Sequence, residues 1–150
     1  MRRPLGPNSH CAIARGVDLL ADRWTLLIVR EAFFDSTRFS QFREDLGIAP
    51  DVLTDRLTRL VDEGVMERRA YRDAGSRERQ EYVLTDSGRR LHAVIASLAQ
   101  WGVAGRPRVG GTTPAYTDAE TGEPVELAFV TADGRRVSPS DLAVEQGIPA

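Results

Sequence analysis

The chain has 150 residues, 41% hydrophobic and 28% charged, the balance of a soluble globular protein with one ordinary core or a small core plus an appendage. No apolar run approaches the ~20 residues of a membrane-spanning helix, and the opening MRRPLGPNSH lacks the apolar stretch of a signal peptide. A net charge of −2 excludes a global positive field for nucleic acid, and a single cysteine excludes an intrachain disulfide, so a cytoplasmic protein is expected.

Apart from two histidines, every cation is Arg. Residues 1–102 hold 16 Arg against 15 acids, and residues 103–150 hold 4 against 7, so any attraction to nucleic acid must come from local Arg clusters in the first part.

Residues 1–8 read as an arm with two Arg. Ser9 is placed to cap a helix through about Asp22, with Ile13, Val17, Leu20 and Ala21 on one face. Cys11 falls at the second helical position, where the positive end of the helix dipole favours a thiolate. The alternative for Cys11 is a small apolar side chain packed in an interface. Asp22 caps a helix over Arg23–Phe34, RWTLLIVREAFF, apolar nearly all round and therefore expected to be the most buried. Asp35-Ser36-Thr37 is a turn, and Arg38-Phe39 is a candidate short strand.

Ser40–Leu46 forms the next expected helix, with Ser40 as its cap and Gly47 as its stop. Pro50 suits the first position of the helix that follows, since the missing N–H has no partner there anyway. That helix places Leu53, Leu57, Leu60 and Val61 on one stripe and Asp51, Thr54, Asp55, Thr58 and Arg59 on the other. Helix, glycine turn and a second helix with a polar outer face is the helix-turn-helix pattern.

After Gly64 the period changes to two. Val65–Arg72 and Arg79–Leu84 read as paired strands around the turn Asp73–Ser76, a wing whose tip carries Arg72, Arg77 and Arg79. Thr85 can cap a last helix through about Trp101, with Leu91, Val94, Ile95, Leu98 and Trp101 on one broad apolar face. That face is wider than one small domain asks for, so these five residues are candidates for a dimer contact. Trp24 and Trp101 have the helical spacing of core residues rather than of a ligand box. The organisation is then a domain over 9–102, a Gly/Pro-rich linker over 103–114 and a small β-rich extension over 115–150. In the extension, Glu123–Val130 and Arg135–Ser138 flank an Asp133-Gly134 turn, and Leu142–Val144 is a further candidate strand.

Residues 11–102 resemble the HxlR-type winged helix-turn-helix transcriptional regulators, relatives of the MarR group. The resemblance rests on Cys11, on Asp22–Ile28 with Arg30, on Arg38-Phe39, and on Leu53, Arg56, Leu57 and Leu60. It continues through Gly64 with Arg68 and through Arg79–Thr85 to Gly88. It implies a bacterial cytoplasmic homodimer, joined through its first and last helices, that binds a palindromic operator. The expected fold is mainly α with a small β-wing (α+β), plus a small C-terminal β-hairpin appendage. Some relatives sense oxidants through a cysteine at the place of Cys11, so a thiol input is one expectation and a small-molecule effector another.

Double-stranded DNA and a second copy of the chain are the expected partners. Thr54 and Thr58 suit base edges, thymine methyls or phosphates, Arg56 and Arg59 suit phosphate or guanine, and Ser40 lies on the same motif. Arg72, Arg77 and Arg79 suit the backbone or a narrow minor groove. Asp51 and Asp55 can accept from a cytosine amine; the alternative is that Asp51 offsets the helix dipole and Asp55 pairs with Arg59. Arg56 and Arg79 likewise have alternatives as partners of helix acids or of Glu81. A winged-helix module for protein–protein contact is the other function class in view. His10, His92 and one cysteine supply no metal pattern, no catalytic motif appears, and no cofactor is expected, so an enzyme is not expected.

Overall fold

The computed structural model describes residues 10–75, 77–106, 109–110 and 114–145. The expected arm over 1–8, the expected cap Ser9 and wing-turn residue Ser76 lie outside them. The chain divides into two compact units between Ile95 and Ala96, within its last helix rather than in the Gly/Pro-rich run.

In the first unit, helices α1 (Ala12–Leu20), α2 (Arg23–Phe33), α3 (Phe39–Leu46) and α4 (Pro50–Asp62) precede an antiparallel hairpin of β1 (Met66–Tyr71) and β2 (Arg79–Leu84). A short α5 (Asp86–Arg89) follows, and α6 (His92–Gly105) begins here. Helix α2 packs against α1, α3 and α4, and α4 packs against β1. The core is Ile28 and Val29 of α2, Phe42 of α3, Leu53, Leu57 and Leu60 of α4, with Ile48, Val65, Met66, Leu84 and Ile95. Trp24 packs against it half-buried, as its spacing predicted. Helix α2 buries Thr25, Ile28 and Val29 fully, and its Leu26, Ala32 and Phe33 pack partly buried against the same core.

Several local expectations hold for stated reasons. The Asp22 carboxylate accepts from the amides of Trp24 and Thr25 at 3.0 and 3.2 Å, satisfying two otherwise orphaned donors of α2. Gly47 ends α3 with φ +60°, the left-handed conformation that glycine adopts without penalty. Pro50 opens α4, and β2 spans the residues predicted for it.

Other expectations need correction. Cys11 is the N-cap of α1 and not its second residue. Ser40 does not cap α3. The cap position is Arg38, and the side-chain oxygen of Gln41 accepts from the amides of Thr37 and Arg38 at 3.0 and 2.8 Å. The Arg38-Phe39 strand reduces to one antiparallel bridge, Arg38 to Glu81, beside a 2.7 Å bond from the Tyr82 amide to the Thr37 carbonyl. The expected single helix after Thr85 is two. Thr85 caps α5 by accepting from the Gly88 amide at 3.1 Å, and its hydroxyl donates to the Gly64 carbonyl at 2.6 Å. Gly88 lies so close to the residue before β1 that a Cβ there would sit 2.2 Å from the Val65 carbonyl oxygen. The turn is thus fastened down before α6 departs.

The second unit contains the rest of α6 and the extension. Trp101 is 60% exposed rather than core, with the Arg106 guanidinium 5.6 Å from its ring centre. Two small hairpins follow. One is centred on the bridge Thr117 to Pro124, where the Asp118 carboxylate accepts from Glu120 and Thr121 amides. Those bonds hold its carboxyl below the usual carboxylate range. The other pairs β3 (Phe129–Val130) with β4 (Arg136–Val137) around the predicted Asp133-Gly134 turn, where Gly134 has φ +87°. It is shorter than expected, and a 3-10 turn over Pro139–Asp141 precedes Leu142–Val144, which form no strand.

Candidate nucleic-acid interface

The polar face of α4 is where the helix-turn-helix reading puts its contacts. Asp51, Thr54 and Asp55 are exposed, and Thr58, Arg56 and Arg59 are half-buried. Ser40 of α3 is exposed as well. The Thr54 hydroxyl donates to the Pro50 carbonyl at 2.8 Å, which uses its one hydrogen and leaves the oxygen able only to accept.

The two arginines of α4 are engaged with the scaffold. Arg56 donates through Nε and Nη2 to both carboxylate oxygens of Asp22, at 2.9 and 3.1 Å, and pairs through Nη1 with Asp55. A fork-on-fork pair of this kind is the strong form of the interaction. The guanidinium, with the two amides that Asp22 caps, holds the Asp22 carboxyl below its ordinary range, and Asp22 in turn raises Arg56. Arg59 donates to the Asp18 carbonyl and lies 3.7 Å from the Asp18 carboxylate. Asp55 thus meets Arg56 rather than Arg59, and both arginines fasten the recognition helix to α1 and to the start of α2.

The wing presents its cations differently. Arg68, Arg69, Arg72, Arg77 and Arg79 are all exposed. Its turn end is held by Arg38, whose guanidinium donates to both oxygens of Asp73 at 3.2 and 2.8 Å and stands 4.4 Å over the Tyr71 ring. Glu81, the alternative partner of Arg79, accepts instead from the Thr37 hydroxyl at 2.8 Å. The sequence pattern alone marks neither Arg38 nor Asp18 for these roles. The Arg38-Phe39 pattern was the one local signal, and nothing near Asp18 marks it as a partner of a residue 41 positions away.

The dimer candidates divide. Ile95 is buried in the core and Leu91 packs against it, whereas Val94, Leu98 and Trp101 are exposed. On α1, Ile13 is 78% and Val17 53% exposed, and Cys11 is exposed too. Among the described residues no helix is long and apolar enough to cross a membrane, and no group of His, Cys, Asp and Glu is arranged to hold a metal ion.

Comparison with known proteins agrees with this geometry. The HxlR-like helix-turn-helix family matches residues 19–108. An uncharacterized HTH-type transcriptional regulator of Mycobacterium tuberculosis is 37% identical over 137 residues, covering 91% of this chain and 85% of that protein. The crystal structure of the transcription-factor candidate PA1607 superimposes with a TM-score of 0.76 at 35% identity, over 93% of this chain and 96% of that one. The redox regulator HypR in its reduced form gives 0.55 at 25% identity, over 63% of this chain and 92% of its own. The chain belongs to the HxlR-like helix-turn-helix family of bacterial transcriptional regulators, and its fold is the winged helix-turn-helix.

Proposed function

We propose that this regulator works in the cytoplasm as a homodimer on a palindromic operator. Each copy lays α4 in a major groove and the wing on the flanking backbone. The observation that carries the reading is the pairing of an outward helix face with an exposed run of wing arginines in one rigid motif. Thr54, Thr58, Asp51 and Asp55 are the base-reading candidates, Ser40 a phosphate contact, and Arg72, Arg77 and Arg79 the backbone contacts. Arg56 and Arg59 act first as struts and reach phosphate only from their remaining donors. Self-association is supported by the bare apolar side chains Ile13 and Val17 of α1 and Val94, Leu98 and Trp101 of α6. A two-fold dimer sets its half-sites about one DNA turn apart, or a multiple of it.

A thiol input is supported by the exposed Cys11 at the start of α1 and by the redox regulator among the structural neighbours. An effector input is the other regulatory route. The test is selection from a random duplex library with reduced protein, then a salt titration of the selected site. A two-fold symmetric motif and a steep salt dependence are expected, with a log–log slope of about −0.9 per phosphate neutralised.

One observation favours a second reading, a module for protein–protein contact. The exposed end of α4 carries Asp51 and Asp55, while its arginines are engaged elsewhere. Failure of folded, reduced protein to enrich any duplex would leave that reading standing and the first one refuted.

A further inference from the structure

The short link between α2 and α3 is tied to both strands of the wing. Its backbone is fixed to α3, because the Gln41 side chain accepts from the amides of Thr37 and Arg38. It is also fixed to β2. The Tyr82 amide donates to the Thr37 carbonyl at 2.7 Å, and the Thr37 hydroxyl donates to Glu81 at 2.8 Å. The Arg38 side chain then reaches the other strand. Its guanidinium donates to both oxygens of Asp73, just past β1, and lies over the ring of Tyr71, the last residue of β1.

The place of this grip along the hairpin matters. Tyr71 and Arg79 form the outermost pair of the β1–β2 ladder. Arg72, Arg77 and Arg79, the proposed backbone contacts, lie at that pair or beyond it. Asp73 is an acid set among those cations, where its charge repels phosphate. The Arg38 and Asp73 side chains are 41% and 47% exposed, and an ordinary ion pair so placed is weak. Two features set this one apart. The contact is a fork on both carboxylate oxygens, and the same guanidinium stacks on a ring. A Lys in its place would keep the charge and lose the planar fork.

We propose that Arg38 is a positioning residue for DNA binding. From a backbone fixed to α3 it holds Asp73 and Tyr71, and so sets where the outer wing cations stand relative to the helix-turn-helix. Asp73 is the anchor of this clamp, and its hold on the wing outweighs its repulsion of phosphate. The inference rests on the reading of the protein as a DNA-binding regulator and adds to it a residue that acts through the wing. Direct contact of Arg38 with a phosphate is the competing role, and the two differ in what they predict for Asp73.

The experiment measures the affinity of the full-length protein for its selected operator in Arg38→Gln, Arg38→Lys and Asp73→Asn. Each is made with the native wing and again in an Arg72→Ala, Arg77→Ala, Arg79→Ala background. Charge alone would make Asp73→Asn bind DNA more tightly, because a negative group is lost. Positioning makes it bind more weakly. With the native wing all three variants should lose about fivefold in affinity, and in the stripped wing each should stay within about twofold of its background. Equal or tighter binding by Asp73→Asn overturns the proposal, as does wild-type affinity in Arg38→Lys. An Arg38→Gln loss that survives in the stripped wing assigns Arg38 to phosphate and overturns it too. Amide hydrogen exchange without DNA is the second measurement. In Arg38→Gln, amides at the Tyr71–Arg79 end of the hairpin should exchange about tenfold faster, while Leu57 and Leu60 keep their protection. Unchanged exchange at the hairpin end overturns the clamp whatever the affinities. Wild-type protein that selects no duplex refutes the regulator reading, and exchange then decides the clamp alone.

Discussion

The recognition helix and the wing both carry arginine, and they use it in opposite ways. In α4, Arg56 and Arg59 are turned back onto Asp22 and Asp18, leaving an outer face of Asp51, Thr54 and Asp55. In the wing, Arg68, Arg69, Arg72, Arg77 and Arg79 are exposed, with Arg69 3.3 Å from Glu67 and Arg68 near the Tyr82 ring. The contrast teaches that position and attraction are separable in so small a motif. Fixing the helix by internal ion pairs sets where its outer face points, while the wing supplies charge that the face lacks.

The strongest way to break this comparison is to strip the wing. Arg72→Ala, Arg77→Ala and Arg79→Ala together should lower operator affinity by roughly a hundredfold or more at physiological salt. The log–log salt slope should fall by about 0.9 per lost phosphate contact. Fluorescence anisotropy at several salt concentrations measures both. Near wild-type affinity in a folded triple variant would mean that the helix supplies the attraction after all.

Next in size is the strut. Asp22→Ala removes the cap of α2 and the partner of Arg56 together, and should destabilise the fold by about 1–2 kcal/mol in urea unfolding. The sign of its pH dependence follows from the lowered Asp22 carboxyl. A group whose folded value lies below its unfolded value stabilises fully above the ordinary carboxylate range and loses that contribution as pH falls through the folded value. The gap between wild type and variant should therefore close in acid. A gap constant with pH would assign the loss to packing and not to charge.

Similar in size but confined to one base pair is Thr54→Val, which sharpens the proposal that the α4 face reads bases. It should shift preference at one base-pair position by about 1–2 kcal/mol, seen by competition among operator variants, with stability within about 0.5 kcal/mol of wild type. The smallest effect is expected from Cys11→Ser in reduced protein, which should leave both affinity and stability unchanged. Treatment with a thiol oxidant then separates the two. Equal behaviour of wild type and variant under oxidant would remove Cys11 from regulation.

How much of this could be read from the chain depends on how far apart the interacting residues lie. Asp22 before RWTLLIV, Gly47 after Leu46 and Pro50 before the Leu53–Leu57–Leu60 stripe are local signals, and each element they mark is in place. The pairing of β1 with β2 follows from alternation and a short turn, and it too is in place. Arg56 to Asp22 spans 34 positions and Arg38 to Asp73 spans 35, and no periodicity reports such contacts. The division of Arg between strut and surface was therefore invisible. The break between α5 and α6 was missed for a related reason. Gly88 is visible in the sequence, but the Val65 carbonyl that leaves no room for a Cβ lies far back in the chain, between α4 and β1. Ser40 failed as a cap because Gln41, one residue on, reaches both exposed amides.

The grip of Arg38 on Asp73 and Tyr71 falls at the outer end of β1. Tyr71 pairs with Arg79 at that end of the hairpin, so the grip ties the strand register to the start of α3. Loss of this one clamp would therefore loosen the outer wing while leaving the packing of α4 in place.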